Sequence, residues 1–288
     1  MRKAQTAAKH IALSVQGRYA DVRNDYDKVA STYDEYYSHN LAAAAERFTT
    51  LLPWEELERP SLRVVELAAG TGAITRRLAD AVSVDSVLTA VDISEGMLAE
   101  NQAKVRAEGQ QVEFVVGDAL EYLAAQPTDS IDALICAWGV CYMSHAKLRR
   151  ELGRVLKSGA FIGIMENRKG TLKELEAVLL DVLMADAKLL RRAVKLDLPT
   201  DHRYIARRIA PDGSRVETGF DGESSRVVTN VDSIVEYVTK SGVSAGYLDA
   251  IEPDLFDQVI QGLRERIETA GPRNVPIVHR YSVVTARR

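Results

Sequence analysis

The run VVELAAGTGAIT at residues 64–75 is where chemistry first shows in this chain. An apolar strand-like stretch ends in Glu66, passes through small residues and enters a helix-like segment. Gly70 and Gly72 suit a turn that needs positive φ and lets a ligand approach the backbone, and unpaired N–H donors at the following helix start can meet a carboxylate. A second strand-like run, TAVDIS, places Asp92 twenty residues past Gly72, where a carboxylate can accept both hydroxyls of a ribose. A third run, VVGDAL, ends in Asp118. Singly, each carboxylate is equally a helix N-cap or a solvated loop residue. Ordered behind a glycine turn, they line the carboxyl edge of an open α/β sheet, where such sheets collect ligands.

Holding those residues on one edge requires alternating strands and helices. The runs LRVVELA, VLTAVDI, VEFVVGD, IDALICAW and AFIGIME read as strands with amphipathic helices between them. That alternation implies a mostly parallel sheet with apolar strands buried on both faces and right-handed crossovers. Residues 1–60 are helix-biased, hold the tyrosine-rich run YDKVASTYDEYYSHN and form a helical lid. The core comprises residues 61–166 and 231–288, and residues 167–230 form an α+β insert after strand five. The insert opens with a helix whose Leu172, Leu175, Leu179, Val182 and Leu183 share one core-facing side. Beyond Pro199, the turn signals PDG at 211–213 and DGE at 221–223 predict a short antiparallel meander. A helix with Asp232 near its N-cap and Gly242 past its end follows, and late strands around residues 247–251 and 277–285 flank a last helix.

Composition narrows the function. With 288 residues, 46% hydrophobic and 27% charged, the chain can bury a sizeable core in one large domain with additions. A net charge of −4 with scattered basic residues lacks the one-sided positive field of a nucleic-acid binder. Cys136 and Cys141, in DALICAWGVCYM, read as buried thiols, with no second Cys/His pair at zinc spacing and no metal site. Residues 1–24 lack the pattern of a signal peptide, and no run is long enough to span a bilayer. The expectation is a cytoplasmic protein with neither nucleic-acid nor membrane partners.

With these motifs in register, the sequence resembles the class I S-adenosylmethionine-dependent methyltransferases, particularly the small-molecule group with a tyrosine-bearing N-terminal helix. The resemblance covers residues 26–164, from YDxxAxxYD (Tyr26, Asp27, Ala30, Tyr33, Asp34) through SIDALICAW and ELGRVLKSGAF. It implies a Rossmann-like seven-stranded sheet of order 3-2-1-4-5-7-6, with the last strand antiparallel. It also implies S-adenosylmethionine as cofactor and a small-molecule acceptor. By similarity, Glu66 and the turn of Ala68, Gly70 and Gly72 hold the methionine end, Asp92 holds the ribose, and Ile93 beside it also binds the cofactor. Met97 lies on the adenine face, Asp118 and Ala119 at its edge, and Ala137 presents backbone to the methionine portion. Tyr26 and Tyr33 are candidates for the methionyl group, or else pack their helix on the core.

Two departures stand out. Ala68 replaces the first glycine of the usual motif, and Cys141 and Tyr142 stand where many relatives carry a histidine pair. Tyr142, His145 and Glu166, at the ends of strands four and five, are therefore the candidate catalytic groups. The bland readings are a pocket-lining aromatic, a residue at a helix start and an ion-pair partner. A sulfonium is already a strong electrophile, so alignment and exclusion of water can suffice without a base. The competing functions are a cyclase-type enzyme that binds the cofactor without transferring methyl, a non-catalytic binding protein and an NAD-dependent dehydrogenase. Against the last, Thr75 stands at the third glycine of the dinucleotide motif.

Overall fold

The computed structural model describes residues 2–108 and 111–288. Seven strands build one sheet: β1 (Arg63–Leu67), β2 (Val87–Asp92), β3 (Glu113–Val116), β4 (Ile131–Ala137), β5 (Leu156–Asn167), β6 (Arg215–Arg226) and β7 (Ile277–Arg287). Their order is β3-β2-β1-β4-β5-β7-β6. β1 through β5 pair in parallel, and β7 runs antiparallel to β5. The α/β fold and strand order agree with the motif register.

β1 shows why the strands read as unbroken apolar runs: Val64, Val65 and Leu67 are buried, and so is Glu66 between them. Helix His145–Val155 adds Leu148, Leu152 and Val155, spaced four and three residues apart, to a cluster with Val65, Leu134, Ile162 and Ile164. Full burial of each such side chain contributes about 1.5–3 kcal/mol. That cluster fixes β1, β4 and β5 beneath the loops that follow them.

The chain divides into two compact units. A sheet unit holds Leu41–Lys169, Asp197–Glu223 and Arg280–Arg288; a helical unit holds Met1–Asn40, Gly170–Leu196 and Ser224–His279. In the helical unit, Leu175, Leu179, Val182 and Leu183 share the buried face of helix Lys173–Leu183, as their periodicity predicts. That face meets helix Phe256–Ala270, where a Cβ on Gly262 would stand 3.2 Å from Val182 Cγ1. Asn230 caps helix Val231–Lys240 by accepting the Asp232 N–H at 2.7 Å, and Gly242 follows at φ +71°.

Beyond Pro199 the structure departs from the predicted meander. Helix His202–Arg208 forms first, with Asp201 accepting the Tyr204 N–H at 2.7 Å. PDG turns as expected, with Gly213 at φ +82°, but DGE lies inside the continuous β6. A Cβ on Gly222 would fall 2.3 Å from Tyr281 Cζ, so this glycine admits a ring from β7 instead of making a turn. β6 takes the sheet position expected of residues 247–251, which form turns. There Asp249 is buried, accepting the Asp21 N–H at 2.7 Å and a bond from the Arg191 guanidinium. Among the described residues no helix is long and apolar enough to cross a membrane.

Candidate active site

Past Leu67 the backbone turns left-handed at Ala68 (φ +53°), Gly70 (+53°) and Gly72 (+92°). β2 holds this turn in place. The Ala69 N–H donates to the Val91 carbonyl at 3.1 Å and the Gly70 N–H to Asp92 Oδ2 at 2.8 Å, while Asp92 Oδ1 accepts the Ser94 N–H at 2.9 Å. A Cβ on Gly70 would meet nothing within 4 Å, so that side of the turn offers bare backbone to open space. Gly72 is constrained differently, because a Cβ there would stand 2.3 Å from Asn101 Oδ1.

A buried relay lies under the turn. Asn101 Nδ2 donates to Thr75 Oγ1 at 2.8 Å, and Thr75 Oγ1 donates to Glu66 Oε2 at 2.6 Å. Asn101 Oδ1 is buried without a hydrogen-bond partner among the described residues. Sequence reasoning assigned no role to Thr75 or Asn101. The hydroxyl nine residues past Glu66 was a readable signal; Asn101 gave none.

Burial dominates the electrostatics. It pushes the Glu66 carboxyl up to about 8, with the Thr75 hydrogen bond opposing and the Asp92 charge adding to the rise. Glu166 is pushed up to about 7 by burial, against hydrogen bonds from the Cys141 and Asn167 backbone. The Cys136 thiol is held well above its ordinary range by burial and by the charges of Glu166, Glu66 and Asp92 around it. Three buried carboxyls thus gather at the carboxyl ends of β1, β2 and β5, an environment that favours a cation.

The candidates after β4 and β5 form a second cluster. Glu166 accepts the Cys141 N–H at 3.0 Å through Oε2 and the Asn167 N–H at 2.7 Å through Oε1. His145 is buried, with Nε2 3.1 Å from the Val140 carbonyl. A carbonyl only accepts, so Nε2 carries a proton, and Nδ1 lies 3.1 Å from Tyr204 Oη and 3.4 Å from Asp197 Oδ2. Asp197 also donates its N–H to the Cys141 carbonyl at 2.9 Å. Three of these bonds, to the Cys141 N–H, the Val140 carbonyl and the Cys141 carbonyl, hold the short 3₁₀ turn Val140–Tyr142, where Tyr142 is half-buried.

The remaining predicted residues fall as follows. Ile93 is half-buried after β2, and Met97 is buried with its N–H on Ser94 Oγ at 3.1 Å. Asp118 caps the helix beginning at Ala119, its Oδ1 accepting the Leu120 and Glu121 N–H groups at 2.8 and 3.0 Å. Ala137 closes β4 opposite Met165. Tyr26 and Tyr33 lie in the helical unit with ring centroids 6.2 Å apart, and Tyr33 packs at 5.0 Å on Tyr37. Among the described residues no group of His, Cys, Asp and Glu side chains is placed to hold a metal ion.

Residues 64–159, from β1 into β5, match the family model described as a methyltransferase domain. Over these residues the chain is similar to the class I methyltransferase domain. S-adenosylmethionine is the methyl donor of this class. Over 143 residues the chain is 33% identical to a demethylmenaquinone methyltransferase of Leptospira interrogans serovar copenhageni, covering 48% of this chain and 57% of the relative. Over 150 residues it is 31% identical to a ubiquinone/menaquinone biosynthesis C-methyltransferase of Ectopseudomonas mendocina, covering 50% and 57%. The alignments thus span little more than half of each relative. The solved structure of a Bacillus halodurans C-125 protein shares the fold: TM-score 0.54, 14% identity, 85% of this chain and 98% of that one.

Proposed function

We propose that this protein transfers a methyl group from S-adenosylmethionine to a small-molecule acceptor. The observation that carries this reading is the open glycine turn, braced by Asp92 above buried Glu66, within a matched methyltransferase domain. The residues present fit the cofactor. Gly70 leaves room for a ligand against the backbone. Asp92, held at the end of β2 by the Gly70 and Ser94 N–H groups, is the carboxylate placed to accept ribose hydroxyls. Buried carboxyls beside the turn favour a cationic amino-acid end. In this reading Ile93 and Met97 line the nucleoside, Asp118 and Ala119 its adenine edge, and residues 167–230 select the acceptor.

The cofactor supplies an electrophilic methyl on a sulfonium. When bound, it would give that methyl to the acceptor atom and leave as S-adenosylhomocysteine, and any proton on the acceptor would pass to water. Glu166 and His145 hold the turn that bears Tyr142, and Tyr142 orients the acceptor. Alignment and exclusion of water then account for most of the rate.

The test is calorimetry with S-adenosylhomocysteine, followed by mass spectrometry of acceptor mixtures starting with the demethylmenaquinone named by the first relative. Binding in the micromolar range and stoichiometric S-adenosylhomocysteine with methylated product are expected. Tight NADH binding in its place supports a dehydrogenase, and product formed without S-adenosylhomocysteine supports the cyclase-type alternative.

A further inference from the structure

The methyl of Ala68 occupies the place where a side chain at residue 139 would begin. An ideal Cβ on Gly139 would stand 2.3 Å from Ala68 Cβ and 3.5 Å from Cys136 Sγ. Real carbons do not pack that closely, so a methyl at residue 139 forces one of two loops to shift.

Both loops are pinned. The turn after β1 hangs from β2 through the Ala69 N–H on Val91 and the Gly70 N–H on Asp92. The loop after β4 is held by the Trp138 N–H on the Met165 carbonyl at 2.8 Å, by the Gly139 N–H on the Cys136 sulfur and by the Cys141 N–H on Glu166. Beneath them, β1 and β4 are locked in register, Leu67 opposite Cys136. Ala68 (φ +53°) and Trp138 (φ +56°) both hold a left-handed backbone that L side chains disfavour. At residue 68 glycine would relieve that strain, yet alanine stands there, and its methyl is what fills the gap to Gly139.

We propose that Ala68 and Gly139 are a matched positioning pair: the Ala68 methyl, seated on the bare Cα of Gly139, sets the spacing between the glycine turn and the loop bearing Tyr142. The pair acts through the turn and touches no reacting atom. It rests on the cofactor reading above, since the turn it positions is the proposed seat for the cofactor.

A double-mutant cycle tests it, read by S-adenosylhomocysteine affinity and by melting temperature on the full chain. Ala68→Gly frees the turn, so affinity falls about tenfold while the melting temperature holds or rises, because strain is released as preorganisation is lost. Gly139→Ala lowers affinity by about thirtyfold or more, or fails to fold. The double variant moves the methyl to the other side of the same gap and recovers affinity to within about fivefold of the parent. Parental affinity in either single variant, or a double variant as impaired as Gly139→Ala, overturns the proposal. A parent that binds no S-adenosylhomocysteine overturns the cofactor reading instead. The melting-temperature cycle still tests the pairing in that case: a double variant no more stable than Gly139→Ala defeats it.

Discussion

The two polar clusters at the carboxyl edge of the sheet point their hydrogen-bonding capacity in opposite directions. Around β1 and β2, Asp92 braces a turn whose Gly70 faces open space, so the cluster holds a surface outward. Around β4 and β5, Glu166 and both ring nitrogens of His145 bond to neighbouring parts of the protein, chiefly the turn at residues 140–142. A buried acid or imidazole at a ligand-collecting edge is thus not by its place alone a group for chemistry. Its partners decide whether it serves the ligand or the loop.

The sharpest way to break this contrast is at Asp92. Asp92→Ala removes the acceptor for two backbone N–H groups and for the ribose, and charge-assisted bonds are worth about 1.5–3 kcal/mol each. Affinity for S-adenosylhomocysteine falls about a hundredfold or more by calorimetry. A stable variant with parental affinity removes the ribose role.

Glu166→Ala comes next and reports on stability. The Cys141 and Asn167 N–H groups lose their acceptor, at about 1–3 kcal/mol each, so denaturant unfolding registers a loss of about 3 kcal/mol. Affinity for S-adenosylhomocysteine stays within threefold. A tenfold loss of binding at parental stability transfers Glu166 to the outward-facing cluster.

A pH series separates the clusters further. Both acids are raised by burial, Glu66 to about 8 and Glu166 to about 7, so the folded chain holds their protons more tightly than the unfolded one. Their stabilisation is complete below the ordinary carboxyl range near 4.5 and is lost as pH climbs through the folded values, so unfolding free energy without ligand falls between pH 5 and 8. A cationic ligand favours ionised Glu66, so affinity rises with pH up to about 8, by at most about tenfold per unit, and then levels. Glu66→Gln flattens the affinity profile; an unflattened profile in that variant assigns the dependence elsewhere.

The smallest effect is expected at Tyr142. If its hydroxyl only orients the acceptor, Tyr142→Phe loses a hydrogen bond of about 1 kcal/mol and lowers kcat roughly fivefold, with cofactor affinity unchanged. A fall of about 10²- to 10⁴-fold makes Tyr142 the acid–base group. Parental kcat removes it from the mechanism.

The sheet edge was legible because its signals are local: a glycine turn and acidic strand ends fall within a few residues of apolar runs. The second half resisted for the opposite reason. Gly222 looked like a turn residue, yet it answers to Tyr281, 59 positions on, and nothing near it in sequence says so. Residues 247–251 have strand-like side chains, but buried Asp249 is satisfied by Asp21 and Arg191, partners that no periodicity reveals. Asn101 lies on a helix with no marker of its own and meets the site only because the chain folds back on Thr75. Long-range partners decided each case.

The position of β7 has a consequence for how the protein is made. β7 follows β6 along the chain, yet it sits between β5 and β6. On the ribosome, β6 is synthesised some fifty residues before the strand it pairs with, while β5 waits with one edge bare. Unpaired edges of that kind are templates for pairing with another chain. The charges along β6, at Arg215, Glu217, Asp221, Glu223 and Arg226, oppose such pairing, and they act in the interval before β7 emerges.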